Sequence, residues 1–537
     1  HVAAEAPHAG RDPDDPGDDP TDPNDPDDPD DPGDDPDDPT DPDDPDDPGD
    51  DPDDPAEPEA PTHFYSLPGK DISALSAWNS KVDGTGSAPS SFSKAGQTFE
   101  VPAAAVLNER FALGDGSVLN VASEGHLEIN GELAEPVNLI GNAELQINSA
   151  HAVAFGTISG SSVITIDSLA TVIPKISYGH LRIRGAGTSK SLEPGVTVVK
   201  GTLNVDDAVQ VRSSEGGSTL SLQGDVYLHE DESFLPDRFF TLAFVRTGEQ
   251  KLYVESTGLH FEKITVSPHT TVRTLSSSPA SIHVGSSNGG GLAIADGGKL
   301  VIGYNNLFIE GSGTINGAGQ KGTIAFRQSD VTINSNSTLT SNLYVVSGAD
   351  SVRTFVDEAG EIAIHNSLYV TDYVECSKGV INSNGNVVLV STSHKSAIVK
   401  AAESTGAIIG KIQVQRFIKS GANQRHLAFP LAGVAVSEIQ NYIPITGNFT
   451  GSAGNQTPSV FRYDDAEGAW KAFPSVSNTE TFDIGKGYAF GLPDSNIKLT
   501  ATGTVHLGDF SFELTPNASK DPAKGWNLIG NPFTSPV

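Results

Sequence analysis

The sequence predicts an all-β fold: a right-handed parallel β-helix, or β-solenoid, followed by an antiparallel β-sandwich and preceded by a disordered Asp- and Pro-rich spacer. Two observations support this prediction. An apolar-x-apolar pattern recurs between about Phe99 and Val399, and from Leu127 onward its copies lie 18, 19, 17, 22 and 17 residues apart. Helical periodicity is almost absent. A repeat of this length is typical of a solenoid, because each coil buries its apolar side only against the next coil.

Residues 1–61 form the predicted spacer. They contain 24 Asp, 3 Glu and one Arg, a net charge of -26, and most of them form Asp-Asp-Pro triplets. Proline removes backbone donors and favours extended geometry, while the like charges prevent collapse. We therefore expect a stiff, polyproline-II-like segment that binds calcium diffusely. Specific calcium sites are the alternative, although the glycine turn and the spaced ligands of an EF-hand loop are missing.

The rest of the chain has an ordinary composition. Its 476 residues include 32 Lys and Arg and 43 Asp and Glu, a net charge of -11. The sequence contains no basic patch, which argues against nucleic-acid binding, and no apolar run long enough for a membrane span. The single cysteine, Cys376, excludes an internal disulfide and is better explained as a half-buried strand residue than as a reactive thiol. Because Met is absent even at position 1, we expect a fragment of a longer precursor.

Residues 62–400 are predicted to form the solenoid with an N-terminal cap. Trp78, Phe92 and Phe99 supply large apolar groups that can cover the first coil, as terminal repeats require. The repeat pattern is clearest in its first half, and it returns after an aromatic-rich stretch. The copies in the first half are Leu119-Asn-Val121, Leu127-Glu-Ile129, Leu145-Gln-Ile147, Ile164-Thr-Ile166, Leu181-Arg-Ile183, Leu203-Asn-Val205 and Leu220-Ser-Leu222.

Residues 401–537 are predicted to form the sandwich-like module. The repeat ends near Gly410, and the following strands alternate over longer distances and contain more aromatic residues. Turn clusters such as 464–468 separate these strands, as in antiparallel sheets. We expect this module to be truncated at its C-terminus.

Two ordered sets of motifs carry a resemblance to a known class of proteins. The chain is similar to large repetitive surface proteins of Bacteroidota that are exported by the type IX secretion system. The N-terminal set comprises Trp78-Asn, Asp83-Gly-Thr-Gly, Pro89-Ser-Ser-Phe and Gln97-Thr-Phe. The C-terminal set comprises Val414-Gln-Arg-Phe-Ile, Arg425-His-Leu-Ala-Phe-Pro-Leu, Ser459-Val-Phe-Arg-Tyr, Gly485-Lys-Gly-Tyr, Ala501-Thr-Gly and Gly525-Trp-Asn-Leu-Ile-Gly-Asn-Pro-Phe.

This resemblance implies an extracellular or outer-surface protein with an adhesive or envelope-structural role and no conserved reaction. It also implies the type IX secretion machinery as a partner, reached through a C-terminal sorting domain outside this sequence. Ser168 and Ser351 lie in Asp-Ser-apolar triplets that look like the O-glycosylation signal of such bacteria. The alternative is that both serines are ordinary turn residues.

A carbohydrate-active β-helix enzyme, either a polysaccharide lyase or a hydrolase, is the alternative function, since this fold also hosts such enzymes. These enzymes need clustered carboxylates, together with a base in the lyases. The solenoid acids are scattered, and we identify no catalytic residue. The densest group, Glu230, Asp231, Glu232 and Asp237, is a candidate cation site, and a solvated loop is the competing interpretation.

Aromatic residues on separate coils suggest a glycan-binding module without catalysis. Tyr304, Tyr344 and Tyr369, with Phe308, would form a ladder of sugar contacts if they shared an outward face. Strand alternation makes this depend on register, and core packing is the alternative.

Overall fold

The computed structural model describes residues 60–206, 208–214, 216–229, 240–255, 259–276, 280–303, 305–317, 319–327, 329–335, 340–345, 351–400, 405–421, 424–516, 521–522 and 524–536. The predicted spacer lies almost wholly outside these residues. The chain divides into two units, His1–Ala60 and Pro61–Val537. Strands make up 49% of the chain and helices 2%, and a parallel β-solenoid of about 13 turns is present. The prediction of an all-β solenoid is therefore confirmed.

Two long parallel ladders begin the solenoid. One sheet of six strands comprises, in spatial order, Trp78–Asn79, His63–Ser66, Thr98–Val101, Val118–Val121, Val137–Leu139 and Phe155–Ile158. The other sheet has eleven strands and contains most copies of the repeat pattern. It comprises Ala104–Leu107, His126–Ile129, Glu144–Ile147, Val163–Ile166, His180–Ile183, Leu203–Val205, Val226–Leu228, Gly248–Val254, Thr270–Leu275, Lys299–Gly303 and Thr323–Arg327.

The middle coils have a third side. A sheet of three strands comprises Val172–Ile173, Ser189–Leu192 and Gln210–Ser213. A sheet of seven strands comprises Ser177–Tyr178, Gly195–Val199, Ser218–Leu222, Phe240–Phe244, Lys263–Val266, Gly291–Ile294 and Thr314–Ile315. Coils before Val172 contribute two strands each and the middle coils contribute three, so the cross-section of the solenoid changes along its axis.

The last coils return to two strands each. A sheet of four strands comprises Ser341–Leu343, Glu361–Ile364, Val380–Asn382 and Ala407–Ile409. The second sheet of eleven strands continues into the C-terminal module. It comprises Leu259–Phe261, Ser281–Val284, Asn306–Gly311, Ser329–Ser335, Ser351–Asp357, Leu368–Cys376, Val387–Leu389, Lys411–Ile418, Ile497–Val505 and Leu431–Ala432, with Ile398–Val399 paired to Leu368–Cys376.

The solenoid core consists of apolar side chains stacked in register. Leu127, Leu145, Ile164, Leu181 and Leu203 are paired from strand to strand in the first eleven-stranded sheet, and all of them are buried. Because successive residues of a strand point to opposite faces, the residue between the two apolar positions faces outward. Burial of each such Leu or Ile stabilises the fold by roughly 1.5–3 kcal/mol.

An aromatic cluster closes the N-terminal end of the solenoid, as the sequence predicts. Trp78 is buried, and its indole N–H donates to the Ile72 carbonyl over 2.8 Å. The Trp78 ring meets Phe99 edge-on at 4.9 Å and stacks on Phe111 at 5.9 Å, and Phe92 meets Phe99 at 5.6 Å. The short 3-10 helix Leu75–Ala77 leads into strand Trp78–Asn79, which pairs antiparallel with His63–Ser66.

The change from parallel to antiparallel pairing occurs at strand Lys411–Ile418. This strand pairs in parallel with Val387–Leu389 on one side and antiparallel with Ile497–Val505 on the other. Beyond it lie two further antiparallel sheets and one short helix, Val436–Ile439. The four-stranded sheet comprises Gln424–Ala428, Gly487–Gly491, Val460–Asp464 and Ala469–Ala472, and the two-stranded sheet comprises Val434–Ala435 and Thr481–Phe482. The prediction of antiparallel sheets towards the C-terminus is therefore confirmed.

The helical content of the described residues is limited to these short segments. None of the helices is long and apolar enough to cross a membrane.

Candidate functional site

A cleft of about 970 Å³ opens where the last solenoid coil meets the C-terminal module. One wall is the turn at residues 392–396, which connects strands Val387–Leu389 and Ile398–Val399 of the last coils. A second wall is the end of strand Lys411–Ile418, and the third is the segment 531–536. We refer to this site as the cationic cleft.

The lining of the cationic cleft is positively charged. It includes Lys395, Arg416, Lys419 and Arg425, together with His394, and none of its fifteen residues is Asp or Glu. The Lys395 ammonium lies 3.8 Å from Asp372 at the rim. Among the described residues, the other three cations form no ion pair. In a chain with a net charge of -37, such a concentration of cations produces a local positive potential that favours anionic ligands.

Strand geometry explains why Arg416 faces the cleft. Val414 and Ile418 on the same strand are buried, whereas Arg416 between them is exposed. Alternation places all three side chains on one face of the strand. That face covers the core at Val414 and Ile418, and it opens to the cleft at Arg416.

A hydrogen bond holds the Arg425 side chain in place, but not every N–H donor of its guanidinium group has an acceptor. One of its Nη2 hydrogens is donated to the Lys419 carbonyl over 2.7 Å. Its Nε is buried and has no acceptor within the described part of the chain. A buried donor without an acceptor costs about 1–3 kcal/mol, so a ligand oxygen at this position would remove an existing penalty.

Hydrogen bonds fix the segment that closes the cleft. The Thr534 hydroxyl accepts the Val399 backbone N–H over 2.7 Å, which ties this segment to the last solenoid coil. The Asn531 side-chain amide donates to the Ser535 carbonyl over 2.6 Å. The cleft is thus formed by residues 135 positions apart in sequence.

A patch of exposed aromatic rings lies beyond the cleft on the C-terminal module. Trp470 is 45% exposed and Trp526 is 69% exposed, and with Tyr463 they line a groove of about 240 Å³. The Tyr463 and Trp470 rings meet edge-on at 5.3 Å. We call Tyr463, Trp470 and Trp526 the aromatic patch. Contiguous exposed apolar surface often marks a ligand-binding or interaction site.

The cationic cleft and the aromatic patch are linked by a small groove. Arg416 and Asn531 border both the cleft and this groove of about 190 Å³, which His426 also lines. The ring of His426 lies 5.7 Å from that of Trp470. The cations and the tryptophans therefore belong to one extended surface.

The cation site predicted from the sequence cannot be placed. Glu230, Asp231, Glu232 and Asp237 lie outside the described residues. His229, which precedes them, lies 3.1 Å from Glu255 and 3.7 Å from Asp206, both on neighbouring coils.

The predicted tyrosine ladder is distributed over different sheets. Tyr304 lies outside the described residues. Tyr344 follows strand Ser341–Leu343 and stacks on His365 at 4.3 Å, whereas Tyr369 lies on Leu368–Cys376 in another sheet. Phe308 stacks on His283 at 4.4 Å. Parallel in-register strands place such rings face to face, so His365 covers one of the two faces that Tyr344 could offer to a sugar. Glycan contact at Tyr344 and Tyr369 stays a prediction.

The two candidate O-glycosylation serines differ in accessibility. Ser168 is exposed at a turn with φ of 40°, and its hydroxyl donates to Asp167 over 3.2 Å. Ser351 is half-buried at the start of strand Ser351–Asp357. Modification of either serine stays a prediction, and the exposure of Ser168 makes it the more accessible of the two.

The Cys376 thiol lies on a strand, as predicted, but it is fully buried rather than half-buried. Burial and the neighbouring Asp357 raise the pKa of this thiol to about 11. The thiol donates to the Gly379 carbonyl over 3.1 Å.

Sequence reasoning missed the cationic cleft and the aromatic patch. The cations fall in three separate segments, and only the fold brings them together. A partial indication was available, because Arg416, Lys419 and Arg425 are concentrated within ten residues of a strongly acidic chain.

Comparisons with protein-family models, with curated proteins and with solved structures find no match to this chain.

Proposed function

We propose that this chain is a non-enzymatic surface protein that binds acidic glycans. The solenoid serves as a rigid scaffold, and the cationic cleft with the aromatic patch binds an oligosaccharide that bears carboxylate or sulfate groups. The observation that carries this proposal is the lining of the cleft: four Lys and Arg side chains with no Asp or Glu, in a chain with a net charge of -37.

The cations supply affinity for the anionic groups of the ligand. Guanidinium groups form bidentate hydrogen bonds with carboxylates and sulfates, and hydrogen bonds to charged groups contribute about 1.5–3 kcal/mol each. Arg416 and Lys419 are exposed and have no ion-pair partner among the described residues, so binding does not require them to break an existing ion pair.

The aromatic patch supplies the second half of the recognition. The apolar face of a sugar ring packs on a tryptophan face, and Trp526 and Trp470 both expose such surface. A glycan with widely spaced charges suits this surface better than a nucleic acid, because the net negative charge of the chain repels densely charged polymers.

The composition of the cleft favours binding over cleavage. Glycoside hydrolysis uses a pair of carboxylates that flank the scissile bond, and the cleft has none among its lining residues. Many solenoid carboxylates are paired with cations on neighbouring coils, as Asp225 is with Arg246 at 3.1 Å.

We also infer an outer-surface location and export by the type IX system, on the strength of the motif resemblance alone. Treatment of intact source cells with a non-permeating protease should remove the protein. Full protection, with degradation only after lysis, would contradict this location.

A glycan array followed by titration with the full chain tests the binding proposal. We expect acidic oligosaccharides to bind and their neutral counterparts to bind at least tenfold more weakly. The double variant Arg416→Gln, Lys419→Gln should lose at least about tenfold in affinity, because two charge-assisted contacts are removed.

The matched control is Lys70→Gln, Lys81→Gln, which removes the same charge from exposed residues at the opposite end of the chain. This control should bind within about twofold of the wild type. Equal losses of affinity in both double variants would show that the effect comes from net charge alone. That result would refute binding at the cationic cleft. Release of new reducing or unsaturated ends from any bound glycan would refute the non-enzymatic assignment.

A further inference from the structure

We propose that His260, His283 and Glu310 form a binding site for a transition-metal ion such as Zn²⁺ on the outside of the solenoid. This inference does not rest on glycan binding, since the three residues lie on solenoid strands that do not contribute to the cationic cleft. Their ligand atoms lie within 4.8 Å of one another.

Register places the two histidines next to each other. His260 on strand Leu259–Phe261 is paired with His283 on Ser281–Val284, and the same position on the next coil is Phe308. The buried neighbours of each, Leu259 and Phe261 for the first and Ile282 and Val284 for the second, turn both imidazoles to the outer face.

Glu310 reaches both imidazoles from the next coil. It lies two residues beyond Phe308, on the same outer face of strand Asn306–Gly311. One carboxylate oxygen is 2.8 Å from His283 Nδ1, and the other is 3.4 Å from His260 Nδ1. Donor atoms bound to one tetrahedral Zn²⁺ lie about 3.3 Å apart, given metal–ligand distances of 2.0–2.1 Å. The two carboxylate–imidazole distances lie on either side of this value, so small shifts would bring the carboxylate to the separation that a shared ion requires.

Only a modest side-chain adjustment is needed for coordination. The two imidazoles stack at 4.3 Å with planes 18° apart, so their Nδ1 lone pairs are nearly parallel rather than convergent. The second torsion angle of His is soft, and rotation about it tilts the ring. His283 is sandwiched between His260 and Phe308, with the Phe308 ring 4.4 Å away. The tilt therefore falls on His260, whose side chain is 38% exposed.

The donor set selects the type of metal. Two imidazole nitrogens and one carboxylate suit Zn²⁺, Cu²⁺, Ni²⁺ and Co²⁺, whereas Ca²⁺ and Mg²⁺ prefer shells of oxygen ligands. Three protein ligands leave a fourth position for water or for an external donor. His260, His283 and Glu310 lie on strands of three successive coils. An ion bound at this site would therefore link these coils.

Titration of the full chain with Zn²⁺, in competition with a chromophoric chelator and in excess Ca²⁺, tests the proposal. The excess Ca²⁺ is included to compete for the carboxylates of residues 1–61, which would otherwise offer weak sites to Zn²⁺. We expect one Zn²⁺ per chain, and Co²⁺ should give the visible absorption of a tetrahedral centre. His260→Gln and Glu310→Gln should each weaken binding at least about tenfold and abolish that absorption.

The matched control is His126→Gln, which removes a half-buried solenoid histidine that pairs with a single carboxylate, Glu144, at 3.2 Å. This variant should retain wild-type affinity. The proposal fails if no Zn²⁺ binds in excess Ca²⁺, or if the His126 variant loses as much affinity as the His260 variant. It also fails if Co²⁺ gives only the pale spectrum of an octahedral aquo-ion, which would leave the three residues as an ion-pair cluster.

Discussion

The solenoid surface and the cationic cleft differ in how their charges are paired. On the solenoid, carboxylates pair with cations from neighbouring coils, as Asp330 does with Arg353 and Glu249 with Arg273. In the cationic cleft, Arg416, Lys419 and Arg425 form no such pair among the described residues. Ion pairs between coils recur on the solenoid surface, whereas the cationic cleft keeps a local excess of positive charge. This difference is the basis for proposing that the cationic cleft binds an anionic ligand.

The strongest test of this contrast is a cavity in the solenoid core. Leu181→Ala removes a fully buried side chain between Ile164 and Leu203, and we expect it to lower the free energy of unfolding by about 3–5 kcal/mol. Chemical denaturation measures the change. Leu169→Ala, at a position 69% exposed, should change it by less than about 0.5 kcal/mol. Similar losses in both variants would contradict a core of stacked apolar rungs.

A buried carboxylate offers the second test, because it forms no ion pair within the described part of the solenoid. Asp357 is fully buried, accepts the Gly360 backbone N–H over 2.9 Å, and burial raises its pKa from 3.8 to about 6. As pH rises above 3.8, the unfolded chain loses this proton first. The stability that the protonated group provides is therefore complete below pH 3.8 and lost by about pH 6.

Asp357→Asn keeps the acceptor for Gly360 but cannot ionise. Between about pH 4 and pH 7, we expect its stability relative to the wild type to rise by up to about 3 kcal/mol. Urea denaturation of both proteins across this range measures the difference. A pH-independent difference between the two proteins would show that the carboxylate titrates normally in the fold.

The third test separates binding from stability in the C-terminal module. Trp470→Ala removes the central ring of the aromatic patch and should weaken binding of an acidic oligosaccharide by about 3- to 10-fold. The melting temperature should stay close to that of the wild type, because 45% of this side chain is already exposed. Val476→Ala, at a position 70% exposed on the same module, is the control. If the Trp470→Ala variant bound the oligosaccharide with unchanged affinity, recognition would depend on the cations alone.

The smallest expected effect concerns the surface ion pairs themselves. Arg353→Gln breaks the contact with Asp330, which holds the pKa of Arg353 above its usual value. The arginine side chain is 53% exposed, so we expect a loss of no more than about 1 kcal/mol, and less at high salt. Thermal unfolding at two salt concentrations measures it. A larger loss that persists at high salt would show that the pairs of the solenoid surface act as a cooperative network.

The sequence was sufficient to predict the solenoid because its signal is local. The residues at 127, 145, 164, 181 and 203 repeat at similar intervals, and all of them lie in one sheet. The third side of the middle coils escaped prediction because the apolar-x-apolar pattern looks the same on every side of a coil. Leu220, counted with the repeat, lies in the seven-stranded sheet, whereas the residue paired with Leu203 is Val226.

The candidate sites escaped prediction for a different reason. His260, His283 and Phe308 align only because their coils differ in length by small amounts that no fixed period describes. The cationic cleft depends on the contact between Val399 and Thr534, whose separation of 135 residues carries no local pattern. The composition of the sequence shows which segments are acidic. It does not show which cations the fold brings together on one surface.

The antiparallel strands at the two ends of the solenoid have a consequence for how copies of the chain meet. Open parallel ladders template the addition of further strands and can grow into fibrils. Here the two-residue strand Trp78–Asn79 ends one ladder, and Ile497–Val505 reverses direction at the end of another. Neither end repeats the register of the coils next to it. At these two places the parallel pairing is interrupted, so a coil of a second copy could not extend either ladder in the register of its own coils.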